Sequence, residues 1–443
     1  MTEVVSRSLA GSTTTAGLRR ILGVGFGLAV IVGSTLGIGI LRAPGLVAAQ
    51  LQVPAAIIAM WIGGGLYTVL GAICLAELGT LAPRAGGYYV YARRAFGDWV
   101  GFAVGWTDWI TYCAVLAYVS IGMSEFIVGL VPALPDVRPL AIGVLVGFVG
   151  LQWAGLRVSS WFQEWTTALK CLAFLVLVVA GLALSGGASA PAAAAPLPPI
   201  TLDGSIAALQ AVVITYAGWQ SALYFAEEDH DPARNLPRAM IGGVLAVIVI
   251  YVMVNVALLA ILPVPDLATA KLPAADAAQS LVGGRGREII TVLSIISLPP
   301  LLNAIMMIGT RILFALGRDR LVWSGTSEVN RGGTPGVATL ATTAVAILLI
   351  ATGTFERLIA IASFFLAVNY AICCLALVAL RRREPDAARP FRAWGYPWSA
   401  AIVVAGALAF LAGAMIGDTT NTLAALGLLA VGLLGYATIW RGR

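Results

Sequence analysis

Long apolar runs, punctuated by short segments that collect glycine, proline and charge, set the pattern of this 443-residue chain. A helix needs roughly 20 apolar residues to cross a bilayer, and about twelve such runs can be marked. They cover residues 21–48, 53–78, 99–130, 140–155, 161–184, 206–226, 239–262, 289–316, 337–352, 358–380, 400–416 and 423–440. Residues 185–199, between the fifth run and the sixth, are rich in Ala, Pro and Gly and too broken by proline to span. Residues 1–17 are polar and lack the basic flank, apolar core and cleavage site of a signal peptide. They are expected to form a disordered cytoplasmic tail.

Two runs interrupt their own pattern. Gly33, Gly37 and Gly39 crowd the middle of the first, and each glycine costs a helix about 1 kcal/mol against alanine. In lipid a broken helix survives only where its freed backbone faces protein or a water-filled cavity. Such a point offers bare N–H groups and a helix N-terminus, which together bind an anion such as a carboxylate. Gly33-x-x-x-Gly37 also suits close packing of two helices, and the first run alone does not separate the two readings. The sixth run carries a second interruption at Thr215-Tyr216-Ala217-Gly218-Trp219. Broken helices five apart are the signature of a five-plus-five inverted repeat, with substrate held where the breaks meet.

Composition changes the picture in one respect. Hydrophobic residues are 60% of the chain and charged residues 11%, against about 25% charged in soluble domains. The chain is therefore an all-α polytopic membrane protein, and soluble folds are excluded. The net charge of +6 is no sign of nucleic acid, because the basic residues sort by side of the membrane. Segments on one side hold Arg19, Arg20, Arg84, Arg93, Arg94, Arg311, Arg318, Arg320, Arg381, Arg382 and Arg383, among others. The other side holds only Arg42, Arg138, Lys271, Arg285, Arg287 and Arg357. An excess of about threefold predicts that both termini are cytoplasmic, in a protein of the cytoplasmic membrane. All five cysteines fall inside apolar runs without the spacing of a zinc or redox site, so no metal, cofactor or disulfide-linked partner is expected.

Five further stretches matter in combination. Gly37-Ile38-Gly39-Ile40-Leu41-Arg42-Ala43-Pro44 lies in the first run. Ala76-Glu77-Leu78-Gly79 precedes Pro83-Arg84-Ala85-Gly86-Gly87-Tyr88-Tyr89-Val90-Tyr91, and Gly105-Trp106 follows. Glu227 and Glu228 precede Asp231-Pro232-Ala233-Arg234-Asn235-Leu236-Pro237. Arg311 with Gly317-Arg318-Asp319-Arg320 ends the eighth run, and Arg389-Pro390-Phe391-Arg392 with Tyr396-Pro397 follows the tenth. In this order they resemble the amino acid–polyamine–organocation (APC) superfamily of transporters, over nearly the whole chain. Ile38 and Leu41 depart from that family's Gly-Ser-Gly-Ile-Phe-x-x-Pro, removing one side-chain hydroxyl but no backbone donor. With the broken spans, the resemblance implies a first repeat over residues 18–204, a second over 205–383 and two extra helices in 384–443.

Single residues carry the remaining expectations. Lys170 lies about ten positions inside the fifth run, on the order of 15 Å from its end. An ammonium at that depth marks a functional site by default. Resemblance to members with a lysine in this helix implies that its amine replaces a sodium ion, bonded to carbonyls around Gly33 and Ser34 and to Ser297. It is also a candidate to titrate during transport; the plainer alternatives are snorkelling or a fixed structural cation. Tyr216 and Trp219 flank the second break, where one aromatic would cover substrate unless both merely pack. Asp108 offers a carboxylate to a cationic substrate or a proton relay, against the plainer reading of a helix-terminus residue. Glu77, Glu227 and Glu228 are candidate partners of Arg84, Arg93, Arg94 and Arg234 in an inner gate, although exposed pairs are commonplace.

The function that follows is secondary transport of amino acids, sodium-independent, by proton coupling or exchange. N–H groups of Gly37, Ile38 and Gly39, beside Ser34, would hold the carboxylate, and carbonyls of Tyr216, Ala217 and Gly218 the amino group. Ile38 and Ile214 suit neutral amino acids, whereas a pocket-facing Asp108 would suit cationic ones or polyamines. The alternatives are an organic-amine transporter and a transport-inactive sensor on the same scaffold. A channel needs a polar filter that these spans lack, and an intramembrane enzyme needs more than the single loop histidine, His230. The expected partners are a small-molecule substrate, the lipid bilayer and protons.

Overall fold

The computed structural model describes residues 18–131, 133–134, 136–184 and 200–441. The expected tail (1–17) and proline-rich linker (185–199) lie outside the described residues. Helices follow the apolar runs, because in lipid each backbone N–H and C=O must find its partner within the segment. In order they are α1 (Val24–Thr35), α2 (Gly39–Leu51), α3 (Pro54–Leu81), α4 (Tyr88–Phe96), α5 (Asp98–Leu130), α6 (Val137–Trp153), α7 (Leu156–Leu184) and α8 (Leu202–Thr215). A short 3-10 helix (Ser221–Phe225) leads to α9 (Pro232–Ile261), α10 (Val264–Thr269), α11 (Pro273–Val282), α12 (Arg285–Ser297) and α13 (Pro299–Arg318). The chain ends with α14 (Gly336–Thr352), α15 (Phe355–Arg383), α16 (Trp398–Gly417) and α17 (Thr419–Arg441).

Among the described residues, eight helices are long and apolar enough to cross a membrane, counting α12 and α13 as one; the pair α1–α2, bent by 50°, makes a ninth. The shorter apolar helices α6, α8 and α14 coincide with three more of the twelve expected spans. Helices α4, α10 and α11 are too short to span and lie at the two ends. No apolar run announced them.

The first break sits at residues 36–38, after Gly33 rather than at it. Gly33 continues α1 because its missing side chain does a different job. A Cβ there would come within 2.6 Å of the Thr167 hydroxyl, so the glycine lets α7 lie close against α1. Two apolar clusters build the body. One joins α1, α4, α5, α13 and α15; the other joins α2, α3, α8, α9 and α11. Both breaks lie where these clusters meet.

Candidate functional site

The second break opens after Thr215, where α8 stops and the chain turns before re-forming as the 3-10 helix. The two breaks are locked together. The buried Ser34 hydroxyl lies 3.0 Å from the Gly218 carbonyl and 2.8 Å from the Ser221 hydroxyl. Gly218 has φ +122°, and a Cβ on it would meet the Ser34 carbonyl at 2.8 Å and the Thr35 nitrogen at 2.9 Å. From α9, the Tyr251 hydroxyl stands 2.8 Å from both the Thr35 and the Thr215 carbonyls. It has one proton to donate, so it holds the last carbonyl of α1 or of α8 at any moment. Gly218→Ala is expected to push the breaks apart and abolish transport, as measured by uptake beside a thermal melt. Tyr251→Phe should cost about 1–3 kcal/mol, the penalty for orphaning a buried acceptor.

Between the breaks lies a cavity of about 460 Å³. On one side are Ser34, Thr35, Gly37, Ile38 and Gly39; on the other are Ile214, Thr215, Ala217, Gly218 and Gln220. The N–H groups of Gly37, Ile38 and Gly39 have no acceptor among the described residues, and the carbonyls of Tyr216 and Ala217 have no donor. The Thr35 hydroxyl is buried and without a partner. Unpaired donors at the N-terminus of α2 attract an anion, and unpaired carbonyls accept from an ammonium. Ile38, Val115, Val119, Ile214, Leu301, Ile305, Ile359 and Leu366 give the rest of the wall an apolar character. Such a site suits a zwitterion with a side chain.

Lys170 stands behind the first break, fully buried. Its Nζ donates to the Gly33 carbonyl at 2.8 Å and to the Leu36 carbonyl. No other donor among the described residues reaches either oxygen. Ser34 and Ser297, the other expected partners, are not bonded to it. The Ser297 hydroxyl turns back to the Ser294 carbonyl at 2.8 Å, because a serine in a helix readily satisfies itself on the preceding turn. The ammonium thus sits on two carbonyls freed by the first break.

The cavity opens where α15 begins, past the exposed Leu46 and Glu356. Toward the arginine-rich end it is closed. Tyr88, Tyr112, Tyr224 and Tyr370 are buried in one aromatic stack, with centroids 5.3–6.1 Å apart. Asp108 sits inside this plug, ten residues into α5, and accepts from the Tyr224 hydroxyl at 2.8 Å. It is neither a helix-terminus residue nor part of the cavity wall, which removes the group that would have favoured a cationic substrate. Trp219 and Tyr216 also lie off the wall. Trp219 packs on Tyr370 at 5.2 Å. Tyr216 points the other way, against Trp61 and Tyr251, and donates to the Trp61 carbonyl at 3.0 Å.

Ion pairs close the arginine-rich end, with partners other than those expected. Glu228 and Arg311 are both buried and meet twice, at 2.7 and 3.0 Å. Glu227 accepts from Arg318 at 2.7 Å and from the Ala85 N–H at 2.9 Å. The buried Glu77 accepts from Arg381 at 2.9 Å and from the Ala393 N–H at 2.6 Å, with Arg389 at 3.2 Å. Arg84 and Arg93 pair instead with Asp319, at 3.7 and 2.6 Å, and Arg94 with Glu384 at 2.6 Å. Arg234 reaches only Asp231, at 3.9 Å.

Four residues escaped sequence reasoning: Thr35, Gln220, Tyr251 and Arg42. Gln220 accepts from the Gly218 N–H at 3.1 Å and the Tyr370 hydroxyl at 3.2 Å, tying the break to the plug. A glutamine directly after a predicted break was a usable signal. Tyr251 lies in an unbroken apolar run and gave none. Arg42 counted only toward the charge balance of the outer side, and no sequence signal placed it on the cavity wall.

Comparison with known proteins agrees with this geometry. Residues 27–433 match the Amino acid permease family. The chain is 28% identical over 415 residues to the serine/threonine exchanger SteT of Bacillus subtilis (strain 168), covering 91% of this chain and 93% of that protein. It is 25% identical over 387 residues to the b(0,+)-type amino acid transporter 1 of Oryctolagus cuniculus, covering 85% and 79%. It is also 25% identical over 410 residues to the branched-chain amino acid permease BcaP of Bacillus subtilis (strain 168), covering 88% and 87%. The match to the family spans both broken helices, the lysine behind them and the closing ion pairs, so this chain belongs to the amino acid permease family of membrane transporters.

Proposed function

We propose that the protein is a sodium-independent exchanger of amino acids in the cytoplasmic membrane, with both termini in the cytoplasm. The observation that carries this reading is the Lys170 ammonium on the Gly33 and Leu36 carbonyls. A fixed charge there satisfies the oxygens that a sodium ion would otherwise coordinate, and it leaves no cation to travel with the substrate. The substrate carboxylate takes the N–H groups of Gly37, Ile38 and Gly39, and its ammonium the carbonyls of Tyr216 and Ala217. The repeats 18–204 and 205–383 rock against each other to alternate access, while 384–443 adds α16 and α17. Glu227 and Glu228 exchange their arginine partners as the arginine-rich end opens. The serine/threonine exchanger among the relatives fits this mode.

One observation favours proton coupling as a second reading. Asp108 Oδ1 is buried and has no hydrogen-bond partner among the described residues, so this carboxyl has room for a proton inside the closing plug. Both readings are tested in sodium-free proteoliposomes. Uptake of labelled serine that depends on amino acid preloaded inside supports exchange. Uptake into empty vesicles that follows an inward proton gradient, and is lost in Asp108→Asn, overturns exchange in favour of coupling.

A further inference from the structure

Arg42 has an unusual position for a cation. It lies one turn beyond Gly39 on α2, so both present the same face of the helix. It lines the cavity just above the unpaired N–H groups of the break. Only Arg42 and Glu356 bring charge to the cavity wall among the described residues. The Arg42 guanidinium makes no hydrogen bond or ion pair among them. Its recorded contact is with an aromatic face, 5.5 Å from the centroid of Phe355. Phe355 is itself fixed edge-on by Tyr118 at 5.4 Å, and all three residues belong to the wall. The other charges facing this region are two exposed carboxylates, Glu356 at the rim and Glu125 of α5. Incoming substrate therefore meets a guanidinium that no carboxylate among the described residues pairs directly and that Glu125 screens only from a distance.

Resting on the transport reading above, we propose that Arg42 is the specificity-determining residue for side-chain charge. It holds amino acids whose side chain is a carboxylate or another hydrogen-bond acceptor, and it excludes those whose side chain is cationic. With the α-carboxylate on Gly37 to Gly39, the side chain extends over the same face of α2 toward the guanidinium. Arg42 needs no new partner in the protein to do this, because its five donors are otherwise unused. A second cation about 6 Å away, partly screened by Glu356 and Glu125, is disfavoured by on the order of tenfold.

The test is uptake of labelled serine into sodium-free proteoliposomes preloaded with unlabelled serine, with competition from outside by unlabelled aspartate, leucine and arginine. The wild type, Arg42→Lys, Arg42→Gln and Phe355→Leu are compared, each checked for a monodisperse elution. In the wild type, aspartate competes and arginine does not. In Arg42→Gln, the arginine-to-leucine ratio rises about tenfold and the aspartate-to-leucine ratio falls by as much. Arg42→Lys keeps the wild-type order, and Phe355→Leu, which releases the guanidinium from its aromatic support, moves the ratios the same way by less. An equal loss for every competitor in Arg42→Gln would reduce Arg42 to an anchor for the shared carboxylate and overturn the proposal, as would unchanged ratios. Absence of uptake of any amino acid by the wild type would sink the transport reading itself, and the selectivity with it.

Discussion

Lys170→Ala is expected to abolish sodium-free uptake while leaving a protein that still inserts and folds. Among the described residues the lysine is the one donor to two buried carbonyls at the first break. A hydrogen bond to a charged group contributes about 1.5–3 kcal/mol, so losing both costs about 3–6 kcal/mol. At 1.4 kcal/mol per decade, that lowers the population of the intact break on the order of a hundredfold or more. The loss falls on the N–H groups of Gly37 to Gly39, because their positions depend on where α1 ends. Uptake of labelled amino acid by the variant checks the functional loss, and a thermal melt in detergent checks the stability. Adding sodium separates two roles for the lysine. Partial recovery would show that any cation on the Gly33 and Leu36 carbonyls suffices. Recovery by no cation would assign an added role to the lysine's own proton.

The second large effect is expected at Arg311 and Glu228. Both are buried, joined by two charged hydrogen bonds, and Arg311 also lies 5.0 Å over the ring of Phe225. Arg311→Met strands a carboxylate in a dry site and should destabilise the protein by about 3–5 kcal/mol. The double replacement Arg311→Met with Glu228→Leu removes both charges and should recover most of that loss, since a buried pair adds little over a packed apolar one. The same variant should transport poorly, because an apolar seal has no water-accessible ions to favour the open arginine-rich end. Paired melts of the two variants check the energetics. Equal destabilisation of single and double variants would show that packing around Phe225, rather than the stranded charge, is what matters.

Most of the fold was legible because lipid leaves few choices. Apolar length marked the spans, and arginine placement separated the two ends, since the chain crosses at each run. The second break was visible at Gly218, where the φ of +122° is one that side chains resist. The first falls among Gly33, Gly37 and Gly39, but Gly33 itself stays helical, because a glycine unwinds a helix in one setting and admits a neighbour in another. Gly33 does the latter beside Thr167. Sequence cannot say which, as the deciding atom is 134 positions away in the chain.

The site was legible in its backbone and less so in its side chains. Glycines at 37 and 39 announced free N–H groups, whereas Tyr216 and Trp219 gave no sign of which way their rings turn. Tyr216 turns to Trp61 and Tyr251 and Trp219 turns to Tyr370, so both rings pack and neither covers the cavity. Asp108 misled for a related reason. A carboxylate in an apolar run looks like a ligand, yet here a phenol from the facing break takes it into the plug. The ion pairs were mispredicted because nearness in sequence favoured Arg84 and Arg234, while α13 and α15 deliver Arg311, Arg318 and Arg381 from far along the chain.

The most direct measurement is uptake of a labelled amino acid panel by the purified protein in proteoliposomes preloaded with unlabelled amino acids, with sodium replaced throughout by choline. Saturable uptake that is unchanged by the replacement and lost in Gly218→Ala is the predicted result. Uptake that appears only when sodium is restored would contradict it, since the Gly33 and Leu36 carbonyls would then be serving a metal ion rather than Lys170.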